Sequence, residues 1–133
     1  MPPDEHQEDA NNSIYTNLVA NYAVSTSRWA ECLAYGPDFS EENTPQEWLD
    51  KMRDLTFLYN KEKRYHEEYE GFDEDYETGN LDPRGIKQAD VVLLAFPLMW
   101  DMPADVRRND LEIYEDITNP DGPAMTWGIF SIR

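Results

Sequence analysis

Apolar residues recur at helical spacing through most of this chain. Ile14, Leu18, Tyr22, Trp29 and Leu33 fall on one stripe, widened by Val19, Ala23 and Ala30. The pattern predicts a helix from Ser13 up to the stop at Gly36-Pro37, with Asn11 or Asn12 as its N-cap. A helix apolar over that much of its circumference is expected to pack on two sides. Thr44-Pro45-Gln46-Glu47 predicts a second helix start, with Thr44 as N-cap and Glu47 closing a capping box. Trp48, Met52, Leu55 and Tyr59 would extend that helix for about four turns. They read as core contacts, with Trp48 also open to stacking against a sugar ring.

The longest apolar run, Val91 to Met99, lies within Gly85–Trp100 and follows three polar residues, Lys87, Gln88 and Asp90. Polar groups at the edge of a core need partners, because an unpaired buried charge or amide is costly. Those partners are either the protein's own acids or a ligand rich in hydroxyls, such as a sugar. Met102-Pro103-Ala104-Asp105 predicts another helix, with Val106, Ile113, Tyr114 and Ile117 on its apolar face. Asn119-Pro120-Asp121-Gly122 predicts a turn, and Ala124 to Ile132 a last apolar helix. No strand-like alternation of useful length appears, so the chain reads as all-α.

Charge changes this picture in one place. Between Glu67 and Asp82 there are eight acids and no base, broken by Gly71 and Gly79. The stretch predicts a long acidic loop around residues 61–84. Asp73, Asp75 and Glu77 suggest calcium, but Gly79 is one place late for an EF-hand and Arg84 stands where a bidentate Glu is required. The net charge of −17 excludes nucleic acid as a natural partner, since phosphates call for Lys and Arg, and it disfavours an anionic membrane surface. The apolar run is too short to span a bilayer, and no signal-peptide pattern opens the sequence.

Cys32 stands alone, which rules out an intrachain disulfide and a thiolate zinc site and leaves the compartment open. No Gly-rich phosphate loop, metal-spaced His pair or Ser-His-Asp order is present. His6 and His66 read as surface or hydrogen-bonding residues. By residue chemistry alone this is an acidic helical domain of open function, with a non-catalytic binding module among the alternatives.

Two ordered blocks carry a resemblance further. Pro3-Asp4-Glu5 followed by Asn11-Asn12-Ser13-Ile14-Tyr15-Thr16-Asn17 is the first. The second runs through Ile86–Leu94, Asp105-Val106-Arg107-Arg108, Leu111–Glu115 and Gly122-Pro123-Ala124-Met125-Thr126-Trp127. Together they resemble glycoside hydrolase family 65, whose members include trehalases, disaccharide phosphorylases and a glucosidase of the collagen disaccharide. The second block is more similar to that glucosidase branch than to the phosphorylases.

The resemblance implies a segment of an (α/α)6 barrel that cleaves a terminal α-glucosyl bond with inversion, without metal or cofactor. It implies Glu5 as general acid and Lys87 and Gln88 as residues that hold the non-reducing glucose. His6 and Gln7 depart from the aromatic-His pair the family carries after P-D-E. Inversion also needs a second carboxylate about 6.5 to 9.5 Å from the acid. The resemblance gives no residue of this chain that role.

Twelve helices with their connections need on the order of 300 residues. Residues 1–133 are therefore expected to form a single incomplete segment, roughly a third of such a barrel. Alone, it is expected to be inactive and marginally folded. The implied partner is a carbohydrate with a terminal α-glucosyl unit, from the collagen disaccharide or, alternatively, from trehalose.

Overall fold

A computed structural model of the protein describes residues 10–38, 40, 44–73 and 86–132. Among the described residues there are five α-helices, α1 (Ile14–Tyr35), α2 (Gln46–Arg53), α3 (Val92–Ala95), α4 (Ala104–Ile117) and α5 (Ala124–Phe130), and one 3-10 turn at Gly36–Asp38. No strand occurs among the described residues, and the fold is all-α as the pattern predicts.

Helix α1 starts one residue later than expected. Its N-cap is Ser13, whose Oγ accepts the Thr16 N–H at 3.4 Å. Asn12 instead takes a left-handed backbone, φ 51°, and donates its side-chain amide to the Glu70 carboxylate at 3.0 Å. Asn tolerates that conformation better than most residues, so the turn into the helix costs little. Gly36 ends the helix at φ 53°, with its N–H on the Cys32 carbonyl.

Only the first three turns of α1 meet the core. Ile14 and Leu18 are buried and Tyr22 packs beside them, whereas Trp29 and Leu33 are each 64% exposed. The opposite face, with Val24 and Ser27, meets α2, so α1 has neighbours on two sides although neither face is buried along its full length. The stripe is continuous in sequence, but the core ends before the helix does.

Helix α2 is 8 residues long, about half the predicted length, and Thr44 does not cap it. The N-cap position belongs to Pro45, and the Thr44 hydroxyl donates to Glu31 on α1 at 3.4 Å. Past Asp54 the chain leaves the helix, because Thr56 and Phe57 are claimed by tertiary contacts. The Asn17 amide donates to the Thr56 carbonyl at 2.8 Å, and Phe57 packs on Trp100 with ring centroids 5.4 Å apart. Tertiary packing here overrides the local helical spacing.

The acidic stretch also departs from a solvated loop. Residues 61–73 lack helix, but Tyr65, His66, Glu68 and Phe72 are all buried. A two-way backbone pairing of Asn60 with Tyr65 turns the chain inward, and the Arg64 guanidinium pairs with Asp105 of α4 at 2.7 Å. The rest of the predicted loop, 74–84, lies outside the described residues, and with it most of the calcium motif.

The apolar run at Val91–Met99 forms a single helical turn, α3, and then leaves it. Leu98 and Trp100 return their N–H groups to the Leu93 and Leu94 carbonyls. The run thus forms a short buried helix. Val91, Val92 and Leu94 are among the most deeply buried residues, packed with Ile14, Tyr65 and Tyr114. Helices α4 and α5 begin behind Pro103 and Pro123, and in each case the proline holds the N-cap position.

Candidate functional site

Lys87 and Gln88 lie on the short segment between Ile86 and α3, and both are half-buried. Ile86 anchors this segment to the end of α4. Its N–H donates to the Ile117 carbonyl at 3.0 Å, and its carbonyl accepts the Asn119 N–H at 2.8 Å. From the other side Gly122 closes on the backbone. A methyl group there would stand 2.9 Å from both the Lys87 and the Asn119 carbonyl oxygens. The G-P-A-M-T-W block is thus pressed against the Lys-Gln segment, and only glycine fits the contact.

Gly122→Ala is expected to cost about 1 to 3 kcal/mol, because both opposing atoms are backbone and cannot swing away. Urea denaturation would read this as a lowered midpoint at unchanged slope. A midpoint equal to the parent's would show that the contact relaxes freely.

Behind Lys87 and Gln88, Ala89, Asp90 and Val91 pass into the core. Asp90 meets Glu68, whose Oε1 accepts the Asp90 N–H at 3.4 Å. The Glu68 carbonyl in turn accepts the N–H of Ile14 at 3.0 Å, and Glu70 donates its N–H to the Asn11 carbonyl at 2.9 Å. Residues 68–70 therefore join the segment from Asn11 to Ile14 with the segment carrying Lys87 and Gln88. Glu5, His6 and Gln7 lie outside the described residues, so the structure gives no distance from Glu5 to this pair.

The same loop carries a polar cluster that sequence reasoning missed. Asp110 of α4 accepts the His66 backbone N–H through Oδ1 and pairs with His66 Nδ1 through Oδ2, each at 2.8 Å. Tyr114, one turn on, donates its hydroxyl to the His66 carbonyl at 2.9 Å. Trp100 and Tyr59 pack on the His66 ring with centroids 5.0 and 5.3 Å away.

Burial raises the Tyr114 phenol well above its ordinary value. The negative charge of Glu68 pushes it further, and Tyr65 and Asp110 add to this, against a hydrogen bond from the Glu68 backbone. The hydroxyl therefore stays protonated as a donor. A signal was available in the sequence: Val106, Asp110 and Tyr114 share one helical stripe, and an acid on an apolar stripe implies a buried partner. Among the described residues no cluster of His, Cys, Asp and Glu is arranged to hold a metal ion, and no helix is long and apolar enough to cross a membrane.

An all-α chain that joins a Lys-Gln segment to a helix N-terminus through a buried loop is the class of structure defined so far. Its relatives make the class more specific. Over 99% of its length the chain is 43% identical to the protein-glucosylgalactosylhydroxylysine glucosidase of Gallus gallus and 37% identical to that of Mus musculus. A stretch of 48 residues, 35% of the chain, is 50% identical to an acid trehalase of Emericella nidulans. The chain spans 17% of the length of each of the two glucosidases. No family model and no solved structure matches it. The proteins it resembles are glycosidases.

Proposed function

We propose that the chain is a segment of the catalytic domain of an inverting α-glucosidase of family 65, built as part of an (α/α)6 barrel. Its substrate is the glucosyl-galactosyl-hydroxylysine unit of collagen. The observation that carries this reading is the 43% identity to the chicken glucosidase, which extends over 99% of the chain. The packing of Gly122 against Lys87 supports it, because the two parts of the second sequence block meet in space.

In this reading Lys87 and Gln88 hold the glucose. An ammonium group offers three donors, and a side-chain amide offers both a donor and an acceptor, which suits vicinal hydroxyls. Glu5 is the general acid. As the bond from C1 to the glycosidic oxygen breaks, the Glu5 proton passes to that oxygen and the galactosyl-hydroxylysine leaves. A water attacks C1 from the opposite face and gives up its proton to a base carboxylate, so the released glucose has inverted configuration. This chain contributes the acid and the sugar-holding pair. The base is assigned to a part of the domain other than these residues.

Hydrolysis of α,α-trehalose is the second reading, favoured by the local 50% identity to the fungal trehalase. The two readings differ in leaving group, and both use Glu5, Lys87 and Gln88. They separate in a hybrid in which this chain replaces the matched 136 residues of the Gallus gallus glucosidase. The hybrid is expected to release glucose from glucosyl-galactosyl-hydroxylysine and to prefer it over trehalose. The opposite preference overturns the first reading.

In the same hybrid, Glu5→Gln is expected to lower kcat by at least about 100-fold, the scale of a lost general acid, with glucose binding retained. Unchanged turnover would remove Glu5 from the mechanism and favour a non-catalytic binding module.

A further inference from the structure

Glu68 is 1% exposed, although it lies on a loop rich in acids that looks solvated in sequence. Withdrawing a carboxylate from water is costly unless the protein returns hydrogen bonds to it. The bond at 3.4 Å from the Asp90 N–H fixes its side chain to a residue two places beyond Gln88. Its backbone is held more tightly on the other side, where its carbonyl accepts the first N–H of α1 from Ile14 at 3.0 Å. Four N–H groups at a helix start lack partners within the helix, so this carbonyl substitutes for one of them and sets the direction in which the chain enters α1. Glu70 repeats the suture, through its N–H on the Asn11 carbonyl and its carboxylate on the Asn12 amide.

We propose that Glu68 is a positioning residue for sugar binding: its carboxylate holds the Lys87-Gln88 segment in register with the N-terminus of α1. The role rests on the reading of Lys87 and Gln88 as glucose-holding residues. Glu68 itself is buried behind them and touches no substrate. It acts through the backbone of Asp90, and the property it needs is an acceptor oxygen at the right reach. Negative charge is secondary, so glutamine should serve where alanine or aspartate does not.

The test uses the glucosidase hybrid, with KM and kcat measured per folded enzyme on glucosyl-galactosyl-hydroxylysine and thermal unfolding followed in parallel. Glu68→Ala is expected to raise KM about tenfold and to change kcat less than about threefold, the signature of lost ground-state holding. Glu68→Gln keeps an acceptor and is expected to stay within about twofold of the parent KM. Should the alanine variant fail to fold, Glu68→Asp decides. It keeps the charge, draws it back by one methylene, and is expected to raise KM about fivefold.

A KM unchanged in every folded Glu68 variant, with only thermal stability lowered, would reduce Glu68 to core filling and overturn the proposal. So would an aspartate variant that behaves as the parent while glutamine does not, since charge would then be what counts. Lys87→Ala, run alongside, separates the two levels. If it raises KM while the Glu68 variants do not, the Glu68 role alone falls. If it leaves KM unchanged, the glucose-holding reading falls and takes the Glu68 role with it.

Discussion

Asp110→Ala is expected to destabilise the chain by about 3 to 5 kcal/mol, because two buried nitrogens of His66 lose their hydrogen-bond partner at once. With a slope of about 1 to 3 kcal/mol per M, the urea midpoint would fall by more than about 1 M. Asp110 is 3% exposed and takes two bonds from one residue, the backbone N–H and the ring nitrogen of His66. Truncation leaves both groups buried and without that acceptor, at roughly 1 to 3 kcal/mol each.

Asp110→Asn should cost less than half as much. Its amide oxygen still accepts the backbone N–H, and its NH2 faces a ring nitrogen that accepts in the other tautomer. Equal losses for the two variants would mean that charge, rather than hydrogen bonding, sets the energy. The consequence reaches the candidate site, because Glu68 lies two residues beyond His66. The anchor that fixes His66 also fixes the loop that reaches Asp90.

How legible this arrangement is in sequence depends on how local its causes are. Proline-initiated α4 and α5 are read correctly, because proline's fixed φ and missing N–H act within one turn. The stop at Gly36 is local as well. The end of α2 is not: Trp48, Met52, Leu55 and Tyr59 keep helical spacing, but the backbone at Thr56 is drawn to Asn17, which is 39 residues away in sequence.

The core under the acidic stretch fails for the same reason. His66 and Asp110 are 44 residues apart, and each looks ordinary until the other is placed beside it. Lys87 and Gln88 sit at a half-buried edge, as their position before an apolar run implies. What holds them there, Glu68 behind and Gly122 in front, comes from two other parts of the chain. The acidity of the stretch also misled, since it made Glu68 resemble its acidic neighbours.

Above pH 10 the protein is expected to lose stability at a rate traceable to one phenol. Tyr114 is fully buried, and its folded-state pKa is raised well above the ordinary value of 10.0, by burial first and then by the charges of Glu68, Tyr65 and Asp110. Below about pH 10 the phenol is protonated in both states and contributes no slope. Above it the unfolded chain releases the proton while the folded chain retains it, so the unfolded state binds one proton fewer. Stability then falls with rising pH, by about 1.4 kcal/mol per pH unit, until the folded pKa is passed.

Tyr114→Phe removes that dependence. It also removes the bond to the His66 carbonyl, worth about 1 kcal/mol, so the variant should be less stable near pH 8 and show a flatter decline beyond pH 10. The two stability curves should therefore converge as pH rises. Urea denaturation at half-unit steps from pH 8 to about 11.5 measures both slopes. Parallel curves would place the alkaline loss on other groups and would mean that the hydroxyl, though aimed at His66, is open enough to ionise. Convergence would tie alkaline unfolding to the same donor that secures the His66 backbone, and through it the loop on which Glu68 reaches the Lys87-Gln88 segment.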